Sequence, residues 1–310
     1  MKNLKLLFTS LILIIFALAC GKSNSDSGKG NFKPKVIKHD FGETELKSEP
    51  KKIVILNNLY AEVLLPLGIT PIAATTGQAG SKEFASFVKD EFKKANVVSV
   101  GWQKKPDLEK IAELEPDLIL MTVHQKDLYE KLSQIAPTVG FLMDNEKVWD
   151  FREPALKIAD IFNKKPEMEK LIADFDIKQN EFSKQVQEKY GKSKLVYLRV
   201  TEKDIRYYGY GRMGFLYDSY KFNRAQDFPA ERMYESINME KLLELNPDLL
   251  IVQSDKPELF ETKVKETPIW KQIKAVKDNK VIFADYSLWQ LGFGLVSQEA
   301  IMNQLKSEWF

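Results

Sequence analysis

Cysteine and histidine are nearly missing from this 310-residue chain, which has one cysteine, Cys20, and two histidines, His39 and His124. One cysteine excludes an intrachain disulfide framework and any cysteine-rich zinc or iron–sulfur site. Two histidines are too few for a histidine-built metal cage. A surplus of either charge is missing too: 46 Lys+Arg stand against 44 Asp+Glu. Bulk nucleic-acid binding needs a strong basic surplus to displace counterions, so that class of partner is excluded. Catalytic signatures are also absent. There is no G-x-S-x-G elbow, H-E-x-x-H pair, P-loop or complete G-x-G-x-x-G, and Gly209-Tyr210-Gly211 lacks the third glycine. The chain is expected not to be an enzyme, and an exported lipid-anchored hydrolase is the distant alternative. With 44% hydrophobic and 29% charged residues, the remainder has the composition of an ordinary folded protein.

What is present begins with a leader. Lys2 and Lys5 precede an almost unbroken apolar run from Leu6 to Leu18, closed by Ala17-Leu18-Ala19-Cys20. The run is short for a bilayer span and ends in small residues, as a secretion signal does. A cysteine directly after the small residues resembles a bacterial lipobox, which implies diacylation of Cys20 and an N-terminus there after cleavage. Gly21 to Gly30 (GKSNSDSGKG) has no apolar side chain and reads as a flexible tether. We therefore expect a lipoprotein signal peptide at 1–19, a tether at 20–34, and a chain held on the extracytoplasmic face of the cell membrane. Removing the leader takes away Lys2 and Lys5 and leaves the charges balanced.

The rest alternates short apolar strands with helices, the pattern of parallel βα units. Val36 to Leu46 suggests a hairpin, and KKIVIL from Lys51 a buried strand. A helix follows, ending at Gly68. An internal repeat then appears. KIAELEPDLILM (Lys110–Met121) and KLLELNPDLLIV (Lys241–Val252) share six of twelve positions, 131 residues apart. One α/β lobe is used twice. Between the copies, Leu156, Ile158, Ile161, Met168, Ile172, Phe175 and Phe182 recur at helical spacing, and Lys164-Lys165-Pro166 starts a long helix there. The expected fold is α/β: two Rossmann-like lobes, at 35–150 and 191–310, joined by an interlobe helical segment at 151–190. A ligand cleft should lie between them.

These segments together resemble the lipid-anchored substrate-binding proteins of iron–siderophore ABC importers. The resemblance is carried by SVGWQKKPDLE (Ser99–Glu109), LEPDLI (Leu114–Ile119) and IAPT (Ile135–Thr138). In the second lobe it is carried by YGYGRMGFL (Tyr208–Leu216), LNPDLLI (Leu245–Ile251) and VKDNKV (Val276–Val281). It implies a two-lobed fold with a rigid interlobe helix, little hinge motion, delivery to a two-fold ABC permease, and action as a monomer. Glu109 and Glu240 match the family's docking glutamates, one per lobe, which would meet permease arginines in paired contacts. Each also suits the first turn of a helix for electrostatic reasons alone.

Five of the six arginines fall between Arg199 and Arg232, in a chain that otherwise uses lysine. The planar guanidinium is suited to carboxylate, hydroxamate or catecholate oxygens. Arg212, in a glycine- and tyrosine-rich loop with Tyr208 and Tyr210, is the leading ligand residue; Arg199, at a strand end, is next. Loops after the first-lobe strands should offer Asn58, Tyr60, Trp102, Gln103, His124 and Gln125, and a late loop Tyr286 and Trp289. Family members that bind citrate-type siderophores carry arginines at the positions of Gln103, Gln125, Tyr286, Leu291 and Phe293. None is arginine here, so a ferric hydroxamate is favoured and a catecholate comes next. The siderophore would supply all the iron ligands, leaving no cofactor and no direct metal ligand on the protein. The alternative is haem or a corrinoid, with His124 axial and Tyr208, Tyr210 or Met213 opposite.

Overall fold

The computed structural model describes residues 32–141 and 150–310. The leader, Cys20, most of the tether and the segment before residue 150 lie outside them. A hairpin of β1 (Lys35–His39) and β2 (Gly42–Leu46) precedes the first lobe. That lobe runs β3 (Ile53–Ile55), α1 (Asn58–Leu64), β4 (Ala73–Thr76), α2 (Lys89–Lys94), β5 (Val98–Trp102) and β6 (Lys105–Pro106). It continues through α3 (Leu108–Glu113), β7 (Leu118–Met121), α4 (Tyr129–Ile135) and β8 (Thr138–Gly140). The sheet order is β6-β5-β4-β3-β7-β8, parallel except for the short β6. The chain crosses from β3 outward through β4 and β5, then returns to the other side of β3 as β7. That reversal of strand order is where α/β sheets open a crevice at their carboxyl ends.

Two helices follow, α5 (Arg152–Ile161) and α6 (Lys165–Tyr190). Pro166 stands in the first turn of α6, where its missing N–H costs nothing. The long helix runs 26 residues, slightly more than its apolar spacing suggests. Its buried positions are Met168, Ile172, Phe175, Gln179, Phe182, Val186 and Tyr190, one stripe at steps of three and four. The amino-terminal half packs on α5 and on the turn after α1; the carboxyl-terminal half enters the core of the second lobe.

The second lobe runs β9 (Lys194–Val200), β10 (Ile205–Tyr208), α7 (Tyr210–Asp218), β11 (Asn223–Arg224), β12 (Tyr234–Ile237) and α8 (Met239–Leu245). Then come β13 (Leu249–Ser254), α9 (Pro257–Phe260), α10 (Lys274–Lys277), β14 (Val281–Phe283), α11 (Tyr286–Leu291) and α12 (Leu295–Trp309). Its sheet order is β12-β10-β9-β13-β14, with β11 beside β9. The central β9–β13 and β13–β14 pairs are parallel. The two sheets and the long helix are the expected α/β architecture.

The sequence repeat has a physical reason. Asp107 and Asn238 cap α3 and α8, accepting from the N–H of Lys110 at 3.1 Å and of Lys241 at 2.8 Å. Both helices are left through a residue with positive φ, Glu115 (47°) and Asn246 (38°). The repeated aspartates then clamp the start of each lobe's first central strand. Asp117 accepts from the N–H of Lys51 and Lys52, both at 2.9 Å, and Asp248 from that of Lys194 at 2.8 Å.

Phe182 shows how firmly α6 is tied to the second lobe. It is fully buried, with ring centroids of Tyr220 at 5.2 Å and Phe310 at 5.6 Å. Phe182→Ala removes a large side chain from a site walled by rigid rings. It should cost about 3–5 kcal/mol of stability. Denaturant titration checks this; a loss below about 1 kcal/mol would mean that α6 is not part of that core.

Candidate ligand-binding site

The first-lobe residues converge on the carboxyl ends of β3, β4, β5 and β7. Asn57 caps α1, accepting from the Leu59 N–H at 2.9 Å, and its amide donates to Gln103 Oε1 at 3.1 Å. Gln103 is itself held, donating its backbone N–H to Thr76 O at 3.0 Å and its side-chain amide to Gly77 O at 3.3 Å. Gln125 is fully buried; its Oε1 accepts from the Thr122 N–H at 2.9 Å, and its amide donates to the Gln103 carbonyl. It ties loop ends together and does not reach the surface of the cleft.

Asn58 and Tyr60 sit in α1 rather than in a loop, and both are buried. The Tyr60 hydroxyl donates to the Met121 carbonyl, joining α1 to β7. Trp102 remains half-buried at the end of β5, with Lys104 Nζ 5.8 Å from its ring. His124 is exposed. Burial of its ring, followed by the charges of Lys104 and of Arg212 in the other lobe, holds it below the usual histidine value. The charge of Arg212, one of the second-lobe arginines, thus bears on a first-lobe residue.

Those arginines form an array on aromatic rings. Arg199 and Arg206 are register partners across β9 and β10. The Arg199 guanidinium lies 5.1 Å from the Tyr286 ring, donates to Asp255 Oδ1 at 2.7 Å and reaches the Tyr208 hydroxyl at 3.4 Å. Arg206 lies 4.3 Å from the Tyr234 ring and donates to Asp204 Oδ1 at 2.8 Å. It shares the face of Arg199 and Tyr208.

Arg212 differs from both. It lies 4.3 Å from the Phe293 ring and donates to the Gln290 carbonyl, with no carboxylate paired to it among the described residues. Burial pulls its affinity for the proton below the ordinary value. A guanidinium keeps its charge in proteins, so a largely buried cation is left without an anion. Bringing a ligand anion to it would offset that cost.

Several second-lobe placements differ from the sequence reading. Arg212 is in the first turn of α7, not in a loop; Gly209 is the tight point, because a Cβ there would lie 1.8 Å from the Pro229 carbonyl oxygen. Tyr210 turns away to Phe228, at 5.1 Å, and to Tyr217. Tyr286 and Trp289 both belong to α11, yet only Tyr286 meets the array. Trp289 is core, its indole N–H donating to Gln304 Oε1 at 2.9 Å and its ring beside Tyr197. Met213 is fully buried, so neither it nor Tyr210 is placed to face His124 across a haem. Sequence reasoning missed Lys104, Tyr234 and Asp255. Lys104 lies inside the SVGWQKKPDLE segment and could have been read from it; the other two depend on strand register.

This arrangement is that of a two-lobed solute-binding protein. Residues 53–288 match the family described as periplasmic binding protein, and the chain belongs to it. It is similar to the putative ABC transporter substrate-binding lipoprotein YhfQ of Bacillus subtilis strain 168, with 29% identity over 99% of this chain and 98% of that protein. It is 31% identical to the petrobactin-binding protein YclQ of the same strain, over 99% of this chain and 98% of the relative. The crystal structure of Staphylococcus aureus SirA complexed with staphyloferrin B has a TM-score of 0.72 to it at 27% identity. That match covers 88% of this chain and 98% of SirA. The family is one of solute-binding proteins, not of enzymes.

The facing of His124 and Arg212 can be measured without any ligand. Arg212→Met keeps most of the stem and removes the charge. The His124 ring, followed by NMR, should then titrate closer to the ordinary histidine value of about 6.5. An unchanged value would show that the two lobes do not bring these groups together.

Proposed function

We propose that this chain is the extracytoplasmic, lipid-anchored substrate-binding protein of an ABC importer, and that its ligand is an anionic ferric siderophore. The observation carrying this reading is Arg212, a largely buried guanidinium with no carboxylate partner, set among arginine–aromatic stacks between two lobes. Petrobactin and staphyloferrin B, bound by the relatives named above, are siderophores. Sequence alone ranks a hydroxamate ahead of a catecholate, because Gln103 and Gln125 are not arginines. Those glutamines are engaged in tying loops, so they say little about ligand charge. Arg212 and Lys104 weigh toward the anion. A ferric tris-catecholate is strongly anionic, whereas a ferric tris-hydroxamate is neutral, and we place the catecholate class first. Aromatic walls at Trp102, Tyr286 and Tyr234 suit a flat, oxygen-rich chelate. The chelate supplies the iron's oxygen ligands, so the protein needs none.

Tryptophan fluorescence titration with ferric catecholate, hydroxamate, citrate and haem tests the reading. Quenching at submicromolar ferric catecholate is expected, weakening as salt screens the attraction. Tight binding of haem alone, lost in His124→Ala, would overturn the siderophore assignment.

The route onward is proposed from the repeat. Glu109 and Glu240 are exposed, and each is the second residue of its capped helix. One carboxylate on each lobe suits a two-fold permease bearing arginines, and lipidated Cys20 would keep the protein at the same membrane. The double variant Glu109→Ala, Glu240→Ala should bind the ferric chelate normally and lose iron uptake in cells. Uptake at the wild-type rate would remove these residues from docking.

A further inference from the structure

One buried acid has no part in the site described so far. Glu62, on α1 of the first lobe, is fully buried. Its Oε1 accepts from the Phe293 N–H at 2.8 Å, and its Oε2 from the Ser297 N–H at 2.8 Å and the Ser297 hydroxyl at 2.6 Å. These donors form the start of α12, a 15-residue helix whose N-cap is Gly294. A Cβ on Gly294 would lie 2.5 Å from Glu62 Cβ, so only glycine admits the carboxylate here. Among the described residues no lysine or arginine bonds to Glu62; burial raises its pKa above the ordinary glutamate value, and the donors of Ser297, Phe293 and Gly294 act against that rise. An apolar residue here would leave the Phe293 and Ser297 donors without an acceptor.

The donors point to another use. Phe293, held by its N–H, is the ring under the Arg212 guanidinium, and Gln290, three residues earlier, accepts from Arg212. The platform of Arg212 is thus anchored at one end to the opposite lobe. We propose that Glu62 is a positioning residue for ligand capture: by fixing Phe293 from across the cleft, it sets the Arg212 guanidinium relative to the first-lobe wall. The link to capture rests on Arg212 being a ligand residue, while the positioning itself does not.

The test uses His124 of the ligand-free protein as the reporter, because Lys104 and Arg212 are the charges that face it. Glu62→Gln should raise the His124 pKa in the direction of Arg212→Met and give no rise in that background. The substitution removes at most a negative charge, which by itself would lower the His124 value, so a rise reports displacement of Arg212. Affinity for a ferric tris-catecholate should fall about tenfold in Glu62→Gln, and by much less when Arg212→Gln is already present. If Glu62→Gln does not fold, Ser297→Ala removes one donor and should shift both readouts the same way by less. A variant that only lowers thermal stability, with His124 unmoved, overturns the proposal. Should no ferric chelate bind the wild-type protein, the siderophore reading fails, and the His124 titration still decides the positioning.

Discussion

The fixed relation between the two sheets rests on one apolar stripe along α6. A 26-residue helix is about 39 Å long, enough to reach from one lobe's core to the other's. Met168 to Phe175 belong to the half beside α5, where Phe175 meets Phe151 at 5.6 Å. Phe182 to Tyr190 belong to the second core. Both halves are thus seated in apolar cores, and one helix carries the chain from one lobe to the other. Everything said of the site depends on that.

Within that frame the arginines divide by partner. Arg199 and Arg206 are each bonded to a carboxylate, and their positive charge is largely spent inside the protein. They build the wall and orient Tyr208, Tyr286 and Tyr234. Arg212 has the same kind of aromatic support and no acid. In the proposed reading, that difference separates residues that shape the site from the one open to a ligand anion.

Much of the fold was legible because its signals are local. The α6 stripe and the repeated Pro-Asp turn both act within a few residues of themselves. The arginine window was legible as well, since six arginines among so many lysines already mark a place. The side chains after the first-lobe strands were not. Gln125 reads like a ligand amide, but its partners are Gln103 and Leu56, 22 and 69 residues away, and they hold it inside. Tyr286 and Trp289 share one helix, and only the helical phase sends one to the arginines and the other to the core. Glu62 gave no signal, because its meaning lies in donors more than 230 residues further on.

The most direct test of this account is anomalous diffraction at the iron edge from crystals of the protein with a bound ferric catecholate. A single iron site is predicted between the Arg199–Arg212 array and the Trp102–His124 wall. All its coordinating oxygens should come from the chelate, with Arg212 bonded to one of them. Iron coordinated directly by His124 or the Tyr208 hydroxyl, or a chelate bound away from Arg212, would contradict it.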